Sequence, residues 1–172
     1  MGMNCDLIIS RSNGACIVQG CASTAHAAIA REDSLGFDMV VLCAYEVQIE
    51  QLGQPVNPDL QIVSAPNGDD KLSRSQAVIA TNAARRVAAA YADRRSVLVT
   101  CKEGRNRSGL VTALALHMIY GVSGRVAVDA VKDRRKGAHA LTNRNFVKFL
   151  ERIPSAVRVP NRGSCDRIHR KS

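Results

Sequence analysis

The stretch Thr100-Cys101-Lys102-Glu103-Gly104-Arg105-Asn106-Arg107-Ser108-Gly109 brings a thiol and a guanidinium together within one short span. Cys101 ends an apolar run, Ser96-Val97-Leu98-Val99, and Arg107 follows six positions later. Ser108-Gly109 then opens a run rich in Leu, Ala and Val. A strand, a tight loop and a helix in that order aim the loop's backbone N–H groups and the helix N-terminus at one point, which makes an anion site. The positive helix end and the nearby guanidinium favour thiolate, so Cys101 is expected to be acidified. The loop thus supplies a nucleophile beside a cradle for a tetrahedral oxyanion. A cysteine that only filled space would need neither Gly104 nor the Arg107-Ser108 pair.

The elements that must position this loop read as alternating strands and helices. Residues 6–9 and 15–19 form two short strands around Arg11-Ser12-Asn13-Gly14, where Asn-Gly signals a turn. Ser23-Thr24 are placed to cap an alanine-rich helix reaching Arg31 and ending near Gly36. Residues 37–42 are apolar apart from Asp38, as in a buried strand, and residues 61–64 form another strand after a Gly/Pro/Asn-rich loop from Gly53 to Pro58. An amphipathic helix over 73–92 sets Val78, Ala83, Val87, Ala90 and Tyr91 at helical spacing, with Arg85, Arg86, Arg94 and Arg95 pointing elsewhere. The almost wholly apolar 110–120 is the buried helix, ended by Gly121. Ser123 caps a further helix to Lys136, whose basic end (132–136) reads as solvated, with a border of the anion site as the alternative. Thr142 or Asn143 starts a last helix, with Phe146 and Leu150 inward. The order implies an α/β fold, a central mainly parallel sheet with helices on both faces. Residues 1–155 make one domain, and 156–172 a basic C-terminal tail expected to be mobile.

Composition narrows the partners. Twenty-four basic against 15 acidic side chains give a formal charge of +9, which favours phosphorylated or polyanionic partners. Aromatics make up only 3% and tryptophan is absent, so stacking platforms for single-stranded nucleic acid are scarce. No apolar run reaches membrane-spanning length, the first residues lack the charged start and apolar core of a secretory leader, and Asp6 stands where myristoylation prefers Ser or Thr. A cytoplasmic location is expected. Cys5, Cys16, Cys21, Cys43, Cys101 and Cys165 show no Cys-x-x-Cys spacing, and His26, His117, His139 and His169 are scattered, so neither zinc nor a disulfide framework is expected. Cys16, Cys21 and Cys43 sit in apolar surroundings and read as core.

The Cys101–Ser108 loop resembles that of the cysteine-dependent protein tyrosine phosphatases, in which Cys, five residues, Arg and Ser or Thr wrap a phosphate. Gly104, the Ser-Gly that follows and the Val-Leu-Val strand look most like the dual-specificity branch. The likeness extends over residues 6–152: a small-residue helix from Gly20 to Ala30, the strand Val40-Val41-Leu42 with Glu46 after it, and the Asn143-x-x-Phe146-x-x-x-Leu150 ending. One position departs: the histidine usual before the cysteine is here Thr100, which brings no positive charge but can hydrogen-bond the loop backbone.

The resemblance implies hydrolysis of phosphomonoesters, phosphotyrosine and also phosphoserine or phosphothreonine of proteins, through a phosphocysteine on Cys101. Lys102, Glu103, Gly104, Arg105 and Asn106 would surround the phosphate, with N–H donors from their backbone. Arg107 would grip two phosphate oxygens with its planar fork. Ser108 would hydrogen-bond the Cys101 sulfur and ease its departure. The family takes its general acid from an upstream aspartate after a Pro-x-x spacer; Pro66-Asn67-Gly68-Asp69-Asp70 is the corresponding place, with Asp69 the better match and Asp70 the alternate. The scheme requires no metal and no cofactor. The extra charges of Lys102 and Arg105 leave RNA 5′-phosphates or phosphoinositides as alternative substrates, and Thr100 leaves a weakly active phosphate-binding module. Oligomeric state is not legible.

Overall fold

Val97-Leu98-Val99-Thr100 are all buried because the strand they form is covered on both edges and both faces. The computed structural model describes residues 5–12, 14–30, 36–52, 58–135 and 139–156. The strands are β1 (Cys5–Ser10), β2 (Cys16–Gly20), β3 (Met39–Ala44), β4 (Gln61–Asn67) and β5 (Val97–Thr100). The helices are α1 (Ala22–Ala30), the short α2 (Ile49–Leu52), α3 (Arg74–Ala92), α4 (Arg107–Tyr120), α5 (Gly124–Arg134) and α6 (Arg144–Glu151). The sheet order is β1-β2-β5-β3-β4, with β1 antiparallel to β2 and the remaining pairs parallel. This is the α/β architecture expected.

Alternation along the strands divides the core. Val40, Leu42 and Leu98 face Ala25, Ala28 and Ile29 of α1. Met39, Val41, Cys43, Val97 and Val99 face the opposite layer, built from α3 to α6. The helix after β2 therefore lies on one face and the helix after its neighbour β5 on the other. Such a divergence opens a crevice beyond the carboxyl ends of the two strands, where ligands bind in open α/β sheets. Gly20 and Leu42 pair with Thr100, so Cys101 emerges at the lip of that crevice.

The local signals account for most boundaries. Ser73 caps α3 in a full capping box with Gln76, Gly121 (φ 66°) ends α4, and Ser123 and Asn143 cap α5 and α6. Phe146 and Leu150 are buried as expected. Other expectations are corrected. α1 begins at Ala22, so Ser23 and Thr24 lie inside it, and the Cys21 carbonyl accepts from the Thr24 and Ala25 N–H groups. β4 runs on through Pro66 to Asn67, and α2 had no signal of its own. Val78 is exposed, because the apolar stripe of α3 is carried by small residues, Ala80, Ala83, Ala84 and Val87. Cys43 is core, but Cys16 and Cys21 are only half-buried. Arg135, read as solvated, is fully buried: its Nη1 donates to Asp6 Oδ2 and to the Gln19 carbonyl, both at 2.7 Å. A charge enters a core only with such partners. The Ala156 N–H donates to the Gly121 carbonyl. Residues 157–172, including Cys165, His169 and nearly all the expected tail, lie outside the described residues, as do Asn13, Arg31, the 53–57 loop and Lys136.

α5 and α6 are drawn together at Gly124, where a Cβ would stand 1.9 Å from the Leu150 carbonyl oxygen. Gly124→Ala must therefore push two helices apart. It is expected to lower stability by about 2 kcal/mol or more, read as a fall in the urea midpoint; an unchanged midpoint would contradict the close approach.

Candidate active site

β5 delivers Cys101 to the crevice, and residues 102–106 form a loop that closes on the first turn of α4. Three carbonyls of this loop are held from outside. The Lys102 carbonyl accepts from the Ala22 N–H at 3.1 Å, that of Gly104 from Gln19 Nε2 at 3.0 Å, and that of Arg105 from the Leu141 N–H at 3.2 Å. In a planar trans peptide the N–H points opposite to the C=O. Fixing those carbonyls to the scaffold turns the N–H groups of Glu103, Arg105 and Asn106 the other way, toward the inside of the curl. Gly104 has φ 66°, and a Cβ there would lie 2.7 Å from the Gly20 carbonyl carbon and oxygen. Its freedom is used on the scaffold side, where the loop rests on the β2–α1 junction.

Cys101 is almost fully buried, with its Sγ 3.3 Å from Ser108 Oγ. Arg107 is buried at the start of α4. Its Nη1 donates to both oxygens of Glu46, at 2.9 and 2.8 Å, and reaches the Asn67 carbonyl at 3.4 Å. One corner of the guanidinium is thereby anchored, while its Nε is buried without a partner. Burial works against the Arg107 charge, but the hydrogen bond to Glu46 and the charges of Cys101, Glu46 and Asp69 hold its pKa above the ordinary value. Burial likewise pushes the Glu46 carboxyl up, yet hydrogen bonds from its own backbone N–H and from Arg107, with the charges of Arg107 and Lys102, leave it below the ordinary 4.5. Thr100 is buried, and its hydroxyl donates to the Val41 carbonyl of β3 at 3.1 Å. It pins β5 to β3; the bond to the loop backbone expected of it is not the one it makes. On the same face, burial and the Cys101 charge push the Cys43 thiol up, with Arg107 opposing.

The aspartate candidates separate. Asp69 is exposed; its Oδ2 accepts from Asn106 Nδ2 at 3.2 Å and its Oδ1 from Asn143 Nδ2 at 3.3 Å. Asp70 joins this network through its backbone carbonyl, which accepts from Asn143 and Asn145. Asn106 is the bracket: its Oδ1 takes the Thr142 and Asn143 N–H groups at 2.8 and 3.0 Å while its Nδ2 reaches Asp69. Lys102 and Glu103 are exposed, and Arg105 is half-buried with its Nε unpartnered. The structure thus gathers Cys101, Arg107, Ser108, Asn106 and Asp69 in one crevice, with Lys102 and Glu103 on its outer side. Sequence reasoning used Glu46 and Asn143 only as marks of the fold and passed over Gln19 and Asn67. A buried Gln at the end of an apolar strand was the available signal for Gln19. Among the described residues no three His, Cys, Asp or Glu side chains cluster, and no helix is long and apolar enough to cross a membrane.

The profile of the dual-specificity phosphatase catalytic domain matches residues 17–153. No curated protein matches the sequence. Among solved structures, human DUSP28 is similar with a TM-score of 0.63 and 23% identity, over 85% of this chain and 93% of that one. A mouse putative dual-specificity phosphatase complexed with zinc tungstate gives 0.61 and 25%, over 78% and 81%. The human tyrosine phosphatase-like serine/threonine/tyrosine-interacting protein gives 0.67 and 15%, over 87% and 95%. These likenesses carry the fold, and the profile spans most of the sequence, loop and crevice included. The chain belongs to the dual-specificity phosphatases, cysteine-dependent phosphatase hydrolases.

Proposed function

We propose that this phosphatase removes phosphate from proteins, from phosphotyrosine and from phosphoserine or phosphothreonine, through a phosphocysteine on Cys101. The observation that carries the reading is the buried pair of Cys101 and an Arg107 anchored at one corner only. With Nη1 committed to Glu46, the Nε edge remains for two oxygens of a phosphate seated above the sulfur. The inward N–H groups of the loop would meet its remaining charge. The tungstate bound to the mouse relative is a tetrahedral oxyanion of the same kind.

In the first step the Cys101 thiolate attacks phosphorus, the S–P bond forms and the P–O bond to the substrate breaks. Asp69 gives its proton to the leaving oxygen. In the second step Asp69, now a carboxylate, takes a proton from water that attacks phosphorus. The S–P bond breaks and Ser108, donating to sulfur, stabilises the departing thiolate. Asp69 is preferred to Asp70 because its carboxylate, held by Asn106, is tied to the catalytic loop itself. Asn106 acts as a bracket, tying Asp69 to the Thr142 and Asn143 N–H groups. Lys102 and Arg105 remain available to acidic flanks of a phosphoprotein. The phosphatase domain is proposed to be residues 1–155, with residues 156–172 a basic C-terminal tail.

Hydrolysis of an aryl phosphate and of a phosphotyrosyl peptide is expected in the wild type, inhibited by vanadate and abolished in Cys101→Ser; turnover surviving in that variant would remove the thiol from the mechanism. Asp69→Asn should lower kcat by about 100-fold with little change in KM, whereas Asp70→Asn should leave kcat nearly intact, and the reverse pattern would transfer the role to Asp70. The Glu46 carboxyl, lowered on folding, adds stability that is present above its ordinary 4.5 and is lost as pH falls through the lowered value. Urea midpoints of wild type and Glu46→Gln should therefore differ at neutral pH and converge in acid; a difference that persists or grows in acid would contradict the ion pair.

A further inference from the structure

Glu46 orients Arg107, so whatever holds Glu46 acts on the phosphate-gripping group at one remove. Its side chain is 43% exposed, and an ion pair that open to water is weak by itself. Glu46 stands on the turn that leaves β3, where the Val47 N–H donates to the Ala44 carbonyl at 3.1 Å. The direction of Arg107 therefore depends on how firmly that turn is held.

Gln48 holds it. The residue is buried, and its Nε2 lies 3.1 Å from the Leu42 carbonyl and 2.9 Å from that of Val47, while also donating to the Ala44 carbonyl. Carbonyls can only accept, so the end facing them is the NH2 group, and Oε1 is left for another donor. Ser64 Oγ of β4 fills that place at 2.5 Å. The register of β3 against β4 shifts between Leu42 and Ala44, and Pro66 of β4 has no N–H. The amide thus brings a donor to the place where the ladder is interrupted, and buried carbonyls without one are costly.

The residues so bracketed are the ones that carry the Arg107 anchor. The Ala44 and Val47 carbonyls flank Tyr45-Glu46. Ser64 lies on the strand that ends at Asn67, whose carbonyl also reaches Arg107 Nη1 at 3.4 Å. Both contacts of the anchored guanidinium corner stand on the two segments that Gln48 joins.

We propose that Gln48, oriented by Ser64, is a positioning residue for catalysis. It ties the Ala44–Val47 turn to β4, so that Glu46 aims the Nε edge of Arg107 at the phosphate. Its effect on the reaction passes through Glu46.

The test is a double-mutant cycle in the full chain: wild type, Gln48→Met, Glu46→Gln and the two combined. Each is read as kcat/KM for an aryl phosphate and as the dissociation constant for tungstate, with urea midpoints alongside. Methionine keeps the bulk and removes the amide. Gln48→Met is expected to lower kcat/KM about 10-fold through misplacement of Arg107, and to weaken tungstate binding. Beside Glu46→Gln the further loss should be under about 2-fold. A lowered urea midpoint with kcat/KM and tungstate affinity unchanged, or the same fold-loss in both backgrounds, would overturn the proposal. Ser64→Ala, an exposed change, should give a smaller loss that also disappears beside Glu46→Gln. If Gln48→Met does not fold, the Ser64 cycle decides by the same two outcomes. Wild-type turnover that is lost in Cys101→Ser shows that the rate reports on this site. A wild type that binds tungstate without turnover counts against the catalytic reading, and the tungstate cycle then decides on Gln48. A wild type that does neither overturns both.

Discussion

Everything in the crevice depends on where three carbonyl groups point. A short loop that must present its N–H groups to an anion has to dispose of its carbonyl dipoles elsewhere, and water at a buried site is a poor means of doing so. Here the Ala22 N–H, Gln19 Nε2 and the Leu141 N–H take the carbonyls of Lys102, Gly104 and Arg105. Those donors come from the β2–α1 junction and from the segment before α6, two regions far apart in sequence. The fold is therefore a clamp around the back of the loop. The sheet order that splits α1 from α4 opens the front. Gly104 lets the clamp close, since a side chain there would intrude between the loop and the Gly20 carbonyl.

A second constraint follows from burying a guanidinium. Arg107 is tolerable in the interior because Glu46 answers its charge, and Glu46 is held low in turn by Arg107 and Lys102. The pairing is asymmetric. One nitrogen carries the ion pair, so the group is oriented without being saturated. Arg135 repeats the arrangement on the other side of the segment before α6, with Asp6 in the place of Glu46.

The chemistry-bearing segment was legible because strand, loop and helix are contiguous: Cys101, Gly104, Arg107 and Ser108 carry their own spacing, and Ser123 and Gly121 carry their own helix ends. Asp69 was picked out through the resemblance, by its place three residues after Pro66 with Asp70 as the alternate, and its carboxylate accepts from Asn106. What sequence did not reveal depends on contacts distant along the chain. Arg135 reads as one more charge at a basic helix end until Asp6, 129 positions away, receives it. Gln19 reads as an ordinary polar residue of a hairpin until Gly104 is brought to it. Thr100 stands where the family usually has histidine and could bond the loop backbone, yet it spends its hydroxyl on Val41. The loop order it does not supply comes instead from Gln19 and the Asn106 bracket.

The central claim is that Cys101 takes the phosphoryl group onto its sulfur while the clamped loop holds the oxygens. The direct measurement is an acid quench of wild-type enzyme during turnover of an aryl phosphate, followed by mass spectrometry of the peptide containing Cys101. The account predicts a gain of one phosphoryl group on that peptide, absent before substrate is added and enriched in Ser108→Ala, where departure of the sulfur is slowed. Turnover with that peptide unmodified in both proteins, or with the phosphoryl group on another residue, would contradict it.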